Sequence, residues 1–259
     1  GLLFGYGMAL AGNCGFGALA RLSGGDLRAF MIVMVMGLSA YITISGPLAY
    51  LRIWIFGAGM PALKTPSIPT AVSTASGLSV SVIGATIGLA FIIISLASAT
   101  MWRSKDSVLW GAVVGLAITS GWVGTQWMAS NGFEGLPVVS HTFSAPIGES
   151  LLYLMTASGT SVSFATGSVS GVLIGSLLGS LINGHFRWEA CDDQRELRRQ
   201  IFGAAAMGVG SVSALGCSIG QGLSAFSVLA YSAPVTLFCI MLGAGIGLRQ
   251  LIHGFRTIG

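Results

Sequence analysis

Gly5–Gly17, GYGMALAGNCGFG, and Gly208–Gly220, GVGSVSALGCSIG, carry one pattern twice. Gly5, Gly7, Ala11, Cys14 and Gly17 coincide with Gly208, Gly210, Ala214, Cys217 and Gly220 at a constant offset of 203 residues. Each copy sets a cysteine in a glycine-flanked break of an apolar segment. Glycine-broken apolar segments at corresponding places in two halves are a leading sequence pointer to the binding site of a repeat-built transporter.

Composition agrees with that class. Hydrophobic residues make up 53% of the 259 and charged residues only 8%, against about 25% charged in soluble domains. A soluble chain this long could not solvate its surface with so few charges, whereas helices in lipid satisfy their backbone internally and need none. The abundant Gly, Ser, Ala and Thr suit helices that approach closely and exchange hydroxyl hydrogen bonds. The alternating segments of a membrane β-barrel are absent. The expected fold is an all-α integral membrane protein, a polytopic helix bundle with inverted repeats and broken or re-entrant loop helices. The net charge of +4 sits in loops and reports orientation, so no nucleic-acid partner is expected. An apolar opening without a basic leader reads as a chain that begins inside a larger protein.

In chain order, Gly1–Asn13 reads as a half-span, followed by a polar return through Arg21 to Asp26. Residues 29–51 form the first full span, and residues 57–70, with Pro61, Lys64, Pro66 and Pro69, a turn-rich loop. Spans follow at 77–101 and 108–128, the latter with interfacial Trp110, Trp122 and Trp127. Residues 129–149, carrying Glu134, His141 and Glu149 but no Lys or Arg, read as an outer loop. Residues 150–159 are too short to cross and re-enter before a span at 161–183. The charged stretch 185–200 reads as a cytoplasmic loop, residues 201–216 enter the second repeat, Cys217–Leu223 forms its loop, and 234–251 is the last span. This gives about six spans in two halves, 1–128 and 129–259. Counting sides outward from the Arg-rich loop puts every Lys and Arg inside except Arg52 and Lys64, and inverts the two cysteine units relative to each other.

The segments GNCGFGALARLSGGDLRAF (12–30) and LGCSIGQGLSAF (215–226) resemble the Gly-Cys loops of the YeeE/YedE sulfur-transport family, and HTFSAPIGESLLYLM (141–155) resembles its middle region. The resemblance implies a multi-pass transporter in the bacterial inner membrane that imports thiosulfate along a cysteine-lined path, with Cys14 and Cys217 in two of the family's cysteine positions. It also implies a cytoplasmic sulfur-carrier protein as partner, met by the Arg-rich loop. The family's earlier Arg-Phe-Cys-Phe loop is absent, so either an N-terminal hairpin lies outside this chain or the path has one thiol fewer.

The chemistry stands without the family. A thiol at a helix break offers a weak S–H donor and a polarizable sulfur suited to a soft anion. Passage needs binding strong enough to enter and weak enough to leave. Helix N-termini and the amides of Gly15 and Gly17 add positive potential, and Asn13, Ser218 and Gln221 are further candidate donors. No cysteine cluster suggests a metal and no fingerprint suggests a nucleotide, so no cofactor is expected. Cys239 reads as a small hydrophobe and Cys191 as an exposed free thiol. Arg21 reads as an interface or capping residue, and His141 and Glu149 as solvated loop residues. Met31, Met34 and Met36 read as packing or lipid-facing residues.

Two other classes stay open: a passive channel for a small neutral solute, and a membrane-embedded sulfur-transfer enzyme. The channel would not require cysteine. The enzyme would require an activated thiolate, and neither loop cysteine has a nearby His or Lys. The transporter, not an enzyme, is the favoured class. Its orientation predicts that a membrane-impermeant thiol reagent labels Cys191 from the cytoplasmic side only; labelling from outside overturns the side assignment.

Overall fold

A computed structural model describes residues 1–57, 67–97, 104–132, 136–190 and 193–254. Lys64, Glu134 and Cys191, each singled out in the sequence, lie outside the described residues. The helices are α1 Leu2–Ala11, α2 Gly15–Ser23, α3 Leu27–Ser45, α4 Pro47–Gly57, α5 Ile68–Ser76, α6 Val80–Leu96, α7 Lys105–Asn131, α8 Ser144–Thr156, α9 Phe164–Ile182, α10 Gln194–Ser213 and α11 Ser232–His253, with a π-helical turn at Gly220–Ala225. Among the described residues, extended pairing is confined to two isolated bridges. This is an all-α polytopic membrane protein.

Five described segments are long and apolar enough to cross a bilayer: Leu2–Ser23, Leu27–Ser45, Lys105–Asn131, Phe164–Ile182 and Ser232–His253. The first is α1 and α2 taken together, interrupted at Gly12–Cys14. Residues 15–23 are thus helix where the sequence suggested a polar return, and the turn begins only at Gly24. The expected span at 29–51 divides at Gly46, because Pro47 lacks an N–H to continue the helical ladder and pushes the preceding residue to an extended conformation. The Arg-rich loop is also shorter than expected. Asp193 accepts from the amide of Arg195 at 2.8 Å and caps α10, so 194–200 form its first turns. Residues 129–149 are not one loop either: α7 runs to Asn131 and α8 starts at Ser144. The loop expected at 217–223 is helical from its second residue: a helical stretch runs from 218 to 227, and Cys217 alone precedes it.

The chain forms two compact units. Unit 2, residues 61–141 and 223–233, contains α5, α6 and α7. There Trp122 donates to Ser227 and Ser224 donates to the His141 carbonyl. Unit 1, residues 1–60, 142–222 and 234–259, holds the main core, where Phe4, Leu19, Ile32, Met36, Ile147 and Met207 are essentially inaccessible. In it α1 packs on α10, α10 on α3, and α3 on α8.

Small residues permit these contacts. A Cβ on Gly7 would lie 2.5 Å from the Gly203 carbonyl oxygen, and one on Gly210 would lie 2.5 Å from the Phe4 amide. The repeat glycines therefore mark points where backbones touch, the packing expected of helices in lipid. Gly12 differs, because its φ of 78° needs no side chain while a Cβ there would meet nothing within 4 Å. Gly12→Ala is accordingly expected to cost about 1–2 kcal/mol, the left-handed penalty alone. Gly7→Ala drives a carbon into backbone and is expected to exceed that, lowering the unfolding midpoint of the detergent-purified protein further. Equal midpoints for the two variants would contradict the close α1–α10 approach.

Candidate functional site

The two cysteine turns repeat in backbone geometry as well as in sequence. Helix α1 ends at Gly12 with φ 78°, and the equivalent position after α10, Leu215, has φ 58°. Two residues later, each cysteine opens a new helical turn. The Cys14 sulfur accepts from the Gly17 amide at 3.4 Å, and the Cys217 sulfur accepts from the Gly220 amide at 3.4 Å. The Cys14 carbonyl takes the Ala18 amide at 2.9 Å, and the Cys217 carbonyl takes the Gln221 amide at 2.8 Å. Each cysteine thus acts as an N-cap, a role usually filled by an oxygen-bearing side chain. Because the sulfur serves here as acceptor, its S–H remains a donor. The first amides of each turn, at Gly15 and Phe16 and at Ser218 and Ile219, have no acceptor among the described residues. Each thiol therefore sits beside N–H groups at a helical N-terminus, the arrangement that favours an anion.

One short segment touches both turns. Thr142 places its hydroxyl oxygen 3.6 Å from the Cys217 sulfur. Phe143 packs its ring on Phe16, centroids 5.1 Å apart. Ser144 donates to the Met36 sulfur at 3.8 Å, and that Met36 side chain and the Ser144 hydroxyl both border Gly15. Three consecutive residues thereby join the Cys14 turn to the Cys217 turn within unit 1. Sequence reasoning did not single out Thr142, Phe143 or Ser144. They lie in the 141–155 segment, which was noted for its resemblance alone because no local spacing links residue 142 to 217.

The remaining candidates separate by environment. Cys14 and Asn13 are partly accessible, whereas Cys217 is 1% exposed. The Asn13 side-chain oxygen lies near Gly17, where a Cβ would meet it at 3.7 Å and the Cys14 sulfur at 3.6 Å, ordinary contacts. Gly220 is more constrained: a Cβ there would stand 2.6 Å from the Thr142 hydroxyl. Ser218 is partly accessible beside its cysteine. Gln221 is buried, and its amide nitrogen donates to the carbonyls of Ala214 at 3.0 Å and Leu215 at 3.1 Å. Both amide hydrogens are spent closing the end of α10, so Gln221 positions the Cys217 turn instead of offering a free donor.

Cys239 packs at the start of α1, where a Cβ on Gly1 would stand 2.8 Å from its own Cβ. Arg21 is exposed in the last turn of α2, where a cation suits the negative helix end. His141 is partly buried in unit 2, and desolvation holds its imidazole below the ordinary histidine value, against the opposing effect of a hydrogen bond from the ring to the Ala117 backbone. Glu149 was expected in a loop but lies on α8, lining a pocket with Tyr41 and Tyr153.

Leu215 is 80% exposed and held in the left-handed region, a conformation costing a non-glycine residue about 1–2 kcal/mol. Leu215→Gly relieves that cost while adding chain entropy to the unfolded state, and is expected to leave thermal stability unchanged or slightly raised. Gln221→Leu strips two carbonyls of their donor and is expected to destabilise by about 1–3 kcal/mol. Unfolding midpoints of the purified variants measure both; an unshifted midpoint for Gln221→Leu would remove its clamp role.

Comparison with known proteins addresses the same helical bundle. The sequence profile of the family described as sulphur transport matches residues 1–246. The thiosulfate transporter TsuA of Spirochaeta thermophila is 25% identical over 274 residues, covering 94% of this chain and 73% of that protein. With its apolar helices and paired cysteine turns, the chain is a multi-pass membrane transporter of sulfur compounds and belongs to the sulphur-transport family.

Proposed function

We propose that this transporter imports thiosulfate, or a related sulfur-bearing anion, across the bacterial inner membrane along a path on which Cys14 and Cys217 are successive contact points. The observation that carries the proposal is the matched pair of cysteine turns held on one segment, Thr142–Phe143–Ser144. Each turn combines a thiol, free helical amides and small residues. Asn13, Gly15 and Gly17 surround the first thiol; Ser218 and Thr142 surround the second, with Gln221 holding its turn in place.

The thiosulfate relative supports the choice of substrate. The anion accepts S–H and N–H hydrogen bonds at one turn and exchanges them for equivalent bonds at the next. No covalent bond to sulfur forms, so the protein resets as the anion leaves and needs no second reaction. A mid-membrane Lys or Arg would hold a dianion too long, whereas weak, repeated donors keep entry and exit balanced. The halves 1–128 and 129–259 are read as inverted repeats facing opposite sides, with the Arg-rich stretch 185–200 inside. There it is placed to meet a cytoplasmic sulfur carrier that consumes the imported anion.

Labelled-thiosulfate uptake by cells expressing the protein tests this. Cys14→Ser and Cys217→Ser are each expected to cut uptake by ~10-fold or more, corresponding to about 1.4 kcal/mol of lost transition-state stabilisation. Serine keeps a donor but loses the soft sulfur contact. Cys239→Ser is expected to change little. Undiminished uptake by both loop-cysteine variants at wild-type expression would sink the cysteine path and favour a nonspecific channel.

A further inference from the structure

Glu149 is an anomaly close to the proposed anion path. It is exposed at the mouth of a pocket of about 310 Å³ in unit 1, whose polar lining includes Tyr41 and Ser45 of α3, Tyr153 of α8, and Thr160 and Ser161 of the following turn. Among the described residues its carboxylate has no hydrogen bond and no ion pair. The pocket's height above the cysteine turns follows from two helices that run side by side. Met36 of α3 meets Ser144 of α8 beside the Cys14 turn, and further along Tyr41 meets Gly148, whose Cβ would stand 3.2 Å from that of Tyr41. From Met36 to Tyr41 and from Ser144 to Glu149, each helix rises by about 7.5 Å. A carboxylate at this distance repels an approaching dianion unless it is neutralised.

Among the described residues, no cation lines the pocket. The titratable groups facing Glu149 are Tyr41 from α3 and Tyr153 on its own helix. The turn after α8 and the cap of α9 bring hydroxyls only, and α10 adds no lining residue. We propose that Glu149 is a proton site coupled to anion uptake, an inference that rests on the sulfur-anion transport proposed above. The carboxylate takes a proton from the outer solution before the anion enters, and the O–H bond breaks again when the proton is released inside; no electrons are exchanged. A proton is favoured over an alkali cation because it needs the Glu149 carboxylate alone, whereas a bare cation needs several oxygens converging on one point. Helix α8 supplies the coupling, since Glu149 and the Ser144 that borders the Cys14 turn lie on one rigid element. Protonation at one end biases the position of the other. Each proton carried also reduces the net charge that the anion drags against the membrane potential.

The test is uptake of labelled thiosulfate by proteoliposomes containing the purified full chain, with and without an inward pH gradient and, separately, an inward sodium gradient. One pH unit is expected to raise wild-type accumulation by up to about tenfold per coupled proton. Glu149→Gln is expected to show no gradient-dependent gain, and Glu149→Asp, which keeps a titratable carboxyl, to retain part of it. If the glutamine variant carries no flux at all, the aspartate variant decides, and its failure to respond to pH overturns the proposal. A wild-type response to sodium and not to pH overturns it, as does a full pH response in Glu149→Gln. Absence of thiosulfate uptake under every condition instead refutes the transport function on which the proposal rests.

Discussion

A helix interrupted inside a membrane must dispose of the backbone groups that the interruption frees, because no water is there to take them. Here that constraint is met twice in the same way. The incoming helix turns left-handed at Gly12 or Leu215, and two residues later a cysteine sulfur caps the next turn. Capping by sulfur is the weaker choice energetically, since a thiol is a poorer acceptor than a hydroxyl or carboxylate. It leaves a soft donor at the break, next to amides that point away from their own helix. The same atoms that complete the fold therefore form the candidate site.

The break also dictates the packing around it. Short half-helices bury little by themselves and must be held by close neighbours, and in lipid that closeness comes from missing side chains. Gly7 against Gly203, and Gly210 against Phe4, bring α1 and α10 to backbone contact. The second copy has less freedom than the first. Its left-handed residue is a leucine, and the strain is contained by Gln221, which reaches back to the carbonyls of Ala214 and Leu215. The first copy has glycine at the left-handed position and alanine at the position of Gln221. Two solutions to one geometric problem thus survive side by side, one conformational and one by hydrogen bonding.

Much of this architecture is legible in the sequence because membrane helices are written in composition and the repeat in glycine and cysteine spacing. The helix breaks at Cys14 and Cys217 follow from that spacing. Boundaries were less legible where local capping competes with hydropathy. Asp193 starts a helix inside what reads as a charged loop, and Pro47 divides what reads as a continuous span. The Thr142–Ser144 bridge was not legible at all. Its partners lie far away in the chain, and a consecutive threonine, phenylalanine and serine carry no periodicity that announces contact with a distant thiol.

The repeat is symmetric in its backbone but not in its surroundings, and the asymmetry bears on how an anion would distinguish the two turns. Cys14 is partly accessible, with the Asn13 oxygen beside its turn. Cys217 is buried, with the Thr142 hydroxyl beside its sulfur and Gly220 kept bare by that same hydroxyl. Two identical sites in series would give an anion no reason to prefer either, and each would hold it equally. A more open turn costs less desolvation on arrival, while a buried one returns stronger hydrogen bonds in lower dielectric. Thr142 and Ser144, fixed to one α8 lead-in, keep the two environments in constant relation. On the proposed path, the hand-over between them depends on how that short segment is seated as well as on the two thiols.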